Sequence, residues 1–418
     1  MALTYRSFKM IIIFLLIAFF NFCYYQNGFA TALVSPTIPE KPLDFWDFPT
    51  PPAFTDNNAI SVILDHKNGN WRYYISPYLN AQPHENQYFG ISQAYLEWDN
   101  GTFGFDIGRK IIMHGPGRYG YPVLGPLGTG VAAQGYDQIG YHFTWGILKA
   151  HKFYASVSES SYRMLIGQRA TIDLGPFTLG ASEEVLVNDQ TPALFYVPIP
   201  FNPNSNTTNS SENKLVEADI AWRLNEDFKL YGQYFIDDIP MYGILNWTPS
   251  PVSDQWPWRC GYQGGVEWQN AFHNPDLTLY TEYTKVNQYT YTHDNRKLNW
   301  TYHGYYIGES LGPDADRINV ELVWKQSPEW QWSFAYQRTR HGEGQIGDPY
   351  IHVPGQTNLC LTGVVEITDL LAVGVTRKHD NLEIGFTLGL ANIQNADHVE
   401  GRQELTPKVS VNAKYYLP

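Results

Sequence analysis

Hydrophobic and polar residues alternate one by one along most of the chain beyond residue 58. In residues 92–98, Ala94, Leu96 and Trp98 fall on one side, and Gln93, Tyr95 and Glu97 on the other. Asp99-Asn100-Gly101 is a tight-turn signal, after which Phe103, Phe105 and Ile107 resume the apolar side. The design recurs. Ile220, Trp222 and Leu224 run into Asn225-Glu226-Asp227, and Phe228, Leu230, Tyr234 and Ile236 come out of it. Ile318, Val320, Leu322 and Trp324 precede Ser327-Pro328-Glu329; Trp330, Trp332, Phe334 and Tyr336 follow it. In residues 382–390 the apolar set is Leu382, Ile384, Phe386, Leu388 and Leu390. Strands of about ten residues, apolar on one face and polar or small on the other, suit a wall between lipid and water. Soluble sandwiches alternate too, but their strands average about 5–6 residues. The pattern predicts an all-β chain, a transmembrane antiparallel β-barrel of the outer-membrane type.

Connection lengths assign the two ends. Short turns at 99–101, 174–176, 225–227 and 327–329 alternate with long segments at 113–136, 188–214, 239–260, 288–315 and 340–357. Outer-membrane barrels keep short turns in the periplasm and long loops outside. With the chain ending in the periplasm, loop 392–405 is external and turn 378–381 internal. Counting back gives 17 strands between Ile60 and Leu417. An even number favours 18, within a range of 16–18, and would place one more in the Pro-rich stretch 33–57.

Composition narrows the picture further. Of 418 residues, 16% are aromatic and only 17% charged, which excludes a disordered chain. The one long apolar run, 11–20, falls short of the roughly 20 residues of a membrane helix. It follows Arg6 and Lys9 and precedes Ala30-Thr31-Ala32, the layout of a cleaved signal peptide. The expected organisation is a signal peptide at 1–32, a Pro-rich segment at 33–57 and the barrel at 58–418. Cleavage leaves 26 basic against 41 acidic residues, net −15, a balance unsuited to nucleic acid, whose binding rests on neutralising phosphates. Cys260 and Cys360 remain, either free or paired in an oxidising compartment.

Catalytic patterns are missing from the sequence: no Walker loop, G-x-S-x-G elbow, H-E-x-x-H or paired CxxC. The glycine-rich run Gly125-Pro126-Leu127-Gly128-Thr129-Gly130 reads as loop. Asp314 and Asp316 have no partner placed as a glycosidase pair requires, and His114, His303, His341 and His352 are scattered over the long loops. The expectation is a chain that is not an enzyme, with no cofactor and no metal.

Two stretches carry more. Gly108-Arg109-Lys110-Ile111-Ile112-Met113-His114-Gly115-Pro116-Gly117-Arg118-Tyr119-Gly120 ends a strand in an arginine and folds through Gly-Pro-Gly. Tyr302-His303-Gly304-Tyr305-Tyr306-Ile307-Gly308-Glu309-Ser310-Leu311-Gly312-Pro313-Asp314-Ala315-Asp316-Arg317 leads straight into strand 318–326. Together these resemble the capsule assembly Wzi family. Its members carry G-R-x-x-x-x-W-G-P-G after an early strand and a segment ending in G-x-D-A/G-D before a later one. His114 stands here at the family tryptophan, and Glu309 where histidine is common. The ending, with N-L-E-I-G-F, V-E-G-R and a closing strand, is similar as well, so the likeness spans roughly residues 60–418.

The resemblance implies a lectin-like outer-membrane barrel that binds and anchors capsular or related surface polysaccharide. Outer-membrane lipid surrounds it, and the capsule export machinery is a partner. Sugars offer hydroxyls to Asp, Asn and Arg and apolar ring faces to Tyr and Trp. Candidate contacts are Arg109, His114, Arg118, Tyr119, Trp300, His303, Tyr305, Asp314, Asp316 and Arg317. In this reading the two segments converge over one mouth, with Arg118 and Tyr119 beside Asp314 and Asp316, and Arg109 pointing up from beneath. A porin or solute channel of the same architecture is the alternative, and a barrel-borne hydrolase is a third reading.

Overall fold

A computed structural model describes residues 58–81, 88–159, 162–188, 212–238, 259–350 and 360–417. The expected signal peptide and the stretch 33–57 lie outside the described residues, as does His352. Seventeen strands form one closed sheet. They are β1 (Ala59–Asn68), β2 (Trp71–Asn80), β3 (Phe89–Asp99), β4 (Phe103–Lys110), β5 (Tyr136–Trp145), β6 (Leu148–Ser156), β7 (Met164–Asp173), β8 (Phe177–Val187), β9 (Glu212–Arg223), β10 (Phe228–Asp238), β11 (Arg259–Gln269), β12 (Leu277–Val286), β15 (Ala315–Lys325), β16 (Trp330–His341), β17 (Glu366–His379), β18 (Leu382–Gln394) and β19 (Gln403–Tyr416). A small hairpin, β13 (Thr301–Tyr302) and β14 (Tyr305–Tyr306), sits in the long connection between β12 and β15.

Successive wall strands pair antiparallel, in registers such as Phe386 opposite Val375 and Val411. The ring closes through a parallel seam, with Ala59 beside Asn412 and Ile63 beside Tyr416. A meander with an odd number of strands must close this way, because its first and last strands run in the same direction. The 17 strands counted in the sequence therefore complete the wall. The eighteenth that an even count would add is not needed, since β1 pairs β19 directly.

The alternation fixes which way each side chain points. Ile384, Phe386, Leu388 and Leu390 of β18 are 40–50% exposed, whereas Thr387 between them is 7% exposed. Leu371 and Val373 of β17 and Val409 and Val411 of β19 continue the exposed apolar band, as a wall facing hydrocarbon requires. Short turns such as 69–70, 146–147 and 380–381 gather at one end. The long connections 111–135, 287–314 and 342–365 gather at the other.

The core lies inside the barrel, at its outer end. Ile112, Val123, Leu124 and Leu127 of loop 111–135 pack with Tyr291, Leu298, Trp300 and Ile307 of loop 287–314. Both sets meet lumen-facing wall residues Phe153, Leu165, Leu186, Leu215 and Phe235. Those wall residues are fully buried, so the lumen face turns apolar where the loops dock. Each buried aliphatic or aromatic side chain contributes about 1.5–3 kcal/mol of burial, enough collectively to hold two long Gly- and Pro-rich loops inside. Cys260 is buried at the start of β11 and Cys360 is exposed; the two are not bonded.

Candidate functional site

Loop 111–135 enters the lumen because the wall supplies acceptors for its backbone. Glu282 of β12 accepts from the backbone N–H of Arg118 at 2.7 Å and of Tyr119 at 3.2 Å. It also accepts from the Tyr231 hydroxyl at 2.7 Å and Gln263 Nε2 at 2.9 Å. Glu321 of β15 takes Arg118 Nη2 at 3.0 Å and the Tyr119 hydroxyl at 2.7 Å. The Arg118 guanidinium lies over the Tyr280 ring, 3.7 Å from its centroid, and Arg317 Nη2 donates to the Tyr119 carbonyl at 2.9 Å. Burial works against charge on Arg118, but Glu321, Tyr119 and Tyr280 together outweigh it and hold the guanidinium above its usual range. The Tyr119 hydroxyl is pushed up by burial and by Glu321.

The glycines let the turn fit. Gly115 has φ +95°, in the left-handed region open to glycine, and a methyl there would strike Gln233 Oε1. A methyl at Gly120 would strike Glu309 Oε2. Just before Gly115, His114, 1% exposed, bonds Glu184 of β8 through Nδ1. Burial, with Arg169 and His151 nearby, holds its pKa well below the usual histidine value, so the ring is neutral. Around it Arg169 pairs Asp219 at 2.7 Å, and Ser182 Oγ donates to Glu217 at 2.5 Å.

Loop 287–314 is tied down in the same manner. Trp300 is fully buried, and its backbone N–H donates to the Tyr291 carbonyl at 3.0 Å. Gly125 N–H donates to the Ile307 carbonyl at 3.1 Å, joining the two loops. Asp314, 1% exposed and at φ +57°, accepts from Gly344 N–H at 2.9 Å and Thr362 Oγ1 at 2.5 Å. It thereby ties Gly344 and Thr362 to the end of loop 287–314. Arg317 pairs Glu309 at 3.1 Å, and Asp316 takes Arg340 Nε at 2.8 Å.

The expected convergence of both segments in one mouth is therefore present, but with other partners. Arg118 and Tyr119 meet Glu321 and Glu282, not the Asp314 and Asp316 pair. Arg109 does not rise from beneath; it shares the outward parity of Ile107 and forms a two-point pair with Asp137 at 2.7 and 2.8 Å. Lys110, not Arg109, takes the lumenal carboxylates, with Glu97 at 2.6 Å and Asp106 at 3.2 Å. His114, Trp300, Asp314 and Arg317 are buried, and Arg118 nearly so; they hold the loops and are closed to a polymer outside.

What remains accessible forms a small cluster on the outer rim. His303 at the tip of the β13–β14 hairpin is exposed, at φ +50°, with its ring 4.2 Å from that of Tyr302. Its backbone N–H donates to Glu159 at 2.6 Å, and Arg163 donates to the Thr301 carbonyl at 2.9 Å. Tyr302 lies within electrostatic reach of Asp137, Arg109, Glu159 and Arg163, and Tyr305 is half-buried beside it. One imidazole, two phenols, the Arg109 guanidinium and two carboxylates thus share a surface, with the buried Arg163 beneath them. The sequence reading missed the anchors Glu184, Glu282, Glu309 and Glu321, although each of Glu184, Glu282 and Glu321 sits at a lumen-facing position of an otherwise alternating strand.

The family model described as capsule assembly protein Wzi matches residues 179–406. Among solved structures, Wzi of Escherichia coli is similar, an outer membrane protein involved in group 1 capsule assembly and described as a carbohydrate binding beta-barrel. The two share 14% identity at a TM-score of 0.59, over 84% of this chain and 76% of that one. OccD3 (8% identity, TM-score 0.47, 83% of each chain) and OprD (8%, 0.44, 82% and 83%), both of Pseudomonas aeruginosa, also align. No curated protein sequence matches the chain.

Proposed function

Because the chain belongs to the capsule assembly protein Wzi family, we propose that it is a non-enzymatic outer-membrane barrel that holds capsular or related polysaccharide at the cell surface. The capsule export machinery is its partner in the envelope. The observation that carries this reading is the docking of loops 111–135 and 287–314 into the outer lumen around a common apolar core. A barrel built to pass solutes leaves that space to water, whereas a binding surface gains from being held rigid. The docked hairpin presents Tyr302, His303 and Tyr305 on the rim beside Arg109, phenol and imidazole faces next to a guanidinium suited to sugar carboxylates. Single contacts of this kind contribute only about 1 kcal/mol, so retention rests on repeats of the polymer engaging many barrels. Arg109→Ala with His303→Ala should release polysaccharide into the medium while synthesis and the amount of folded barrel stay unchanged. Wild-type retention by that variant would remove the rim from the account and favour the channel reading.

A further inference from the structure

Beneath the docked loops the lumen holds a cavity of about 780 Å³, within the roughly 300–1,000 Å³ of ligand sites. Its roof is Tyr119, Gly120 and Tyr121 of loop 111–135. Its lower wall includes Asp65, Lys378, Glu383 and Lys414, near the turns 69–70 and 380–381. It is therefore approached from the end opposite the outer rim. We propose that this cavity is a second saccharide site, reached from the periplasmic side and selective for an oligosaccharide that carries carboxylates. The inference goes beyond the rim reading and does not depend on it.

Charge comes first. The chain as a whole is acidic, net −13, yet the cavity has a local excess of basic groups. Arg72 is paired with Asp65, Arg118 with Glu321 and Arg317 with Glu309, while Lys378 and Lys414 line the lower wall with one carboxylate, Glu383, between them. Glu383 is shared, 3.1 Å from Lys378 and 3.7 Å from Lys414, which leaves positive charge at the mouth without a carboxylate of its own. Unused donors come second. Asn319, 6% exposed, lines the cavity with its amide Nδ2 unpartnered, as is Nε of neighbouring Arg317. Buried donors without acceptors are costly, and a ligand rich in oxygen relieves them. Ring faces come third. Tyr74 and Tyr95 stack at 5.2 Å and 12°, and Tyr416 joins them in the lining. Apolar sugar faces pack on such rings while their hydroxyls reach Ser76, Gln93 and Asn319.

The test uses the full refolded chain carrying Arg109→Ala and His303→Ala, so that the rim contributes nothing, with tetragalacturonate and maltotetraose as probes in calorimetry. Tetragalacturonate should bind, and maltotetraose about tenfold more weakly. Adding Lys378→Gln with Lys414→Gln should weaken tetragalacturonate by about tenfold, the loss expected for charged hydrogen bonds. Asn319→Asp, which sets a carboxylate where a donor stood, should weaken it further. Heat-modifiable gel migration confirms that each variant is folded. Absence of tetragalacturonate binding, equal affinity for the two probes, or unchanged affinity in the lysine variant would each overturn the site, whatever the rim variant does to capsule retention.

Discussion

The attachment of loop 111–135 to Glu282 makes a quantitative prediction about whether the lumen is closed. Glu282→Ala removes the acceptor for four donors: two backbone N–H groups, the Tyr231 hydroxyl and Gln263 Nε2. Gln263 keeps the Gly120 carbonyl and Thr284, at 3.1 and 2.9 Å; the other three lose their strongest partner. A buried donor left unsatisfied costs about 1–3 kcal/mol. Water entering from the cavity below offsets part of this, so about 3 kcal/mol of docking free energy should be lost. At a tenfold change for each 1.4 kcal/mol, the undocked population rises roughly a hundredfold. Planar-bilayer recordings should show openings that wild type lacks, and trypsin should cut after Arg118, which is protected while docked. Glu282→Gln, which keeps one acceptor oxygen, should fall between the two. Wild-type conductance together with unchanged trypsin resistance in Glu282→Ala would refute the idea that these bonds hold the loop.

Phe386→Arg, at the exposed apolar face of β18, should cost about 2–4 kcal/mol in urea unfolding from bilayers, whereas Thr387→Arg on the lumen side should cost much less; equal costs would show that the two faces do not divide lipid from water. Acid should loosen loop 111–135. His114 is held neutral by burial among Arg169, His151 and Glu184, so its folded pKa lies below the ordinary 6.5. The stability this confers is present above pH 6.5 and is lost as pH falls toward the depressed value. Bilayer openings at pH 5 that exceed those at pH 7.5, and a smaller difference in His114→Gln, would bear this out; an identical pH response in His114→Gln would contradict it. On a Cys360→Ser background, His303→Cys should react with impermeant maleimide in intact cells and Glu226→Cys should not, and the opposite pattern would invert the barrel.

The wall was legible because lipid on one face and lumen on the other impose a period of two, which Phe103, Trp222, Phe334 and Phe386 display without ambiguity. The parallel seam was not, since alternation records which face a residue takes and says nothing about which strands meet at closure. The docked loops were half-legible. Their Gly-Pro-Gly and Gly-Pro-Asp-Ala-Asp turns stood out, but Arg118 and Asp314, read as sugar contacts, also fasten the loops to the wall and to one another. Their true partners, Glu282, Glu321 and Thr362, are 164, 203 and 48 residues away in sequence, a distance no local pattern bridges. One available signal went unused: Leu165, Leu186, Leu215 and Phe235 are apolar at lumen-facing positions near the long-loop ends of their strands. Apolar residues there have a reason only if something other than water covers them.

The central claim is tested most directly by adding purified capsular polysaccharide of the producing strain to the refolded barrel on a sensor surface. Wild type should bind, with affinity rising with chain length, and Arg109→Ala with His303→Ala should bind at least about tenfold more weakly. No binding by the folded wild-type barrel, or equal binding by the two proteins, would contradict the account.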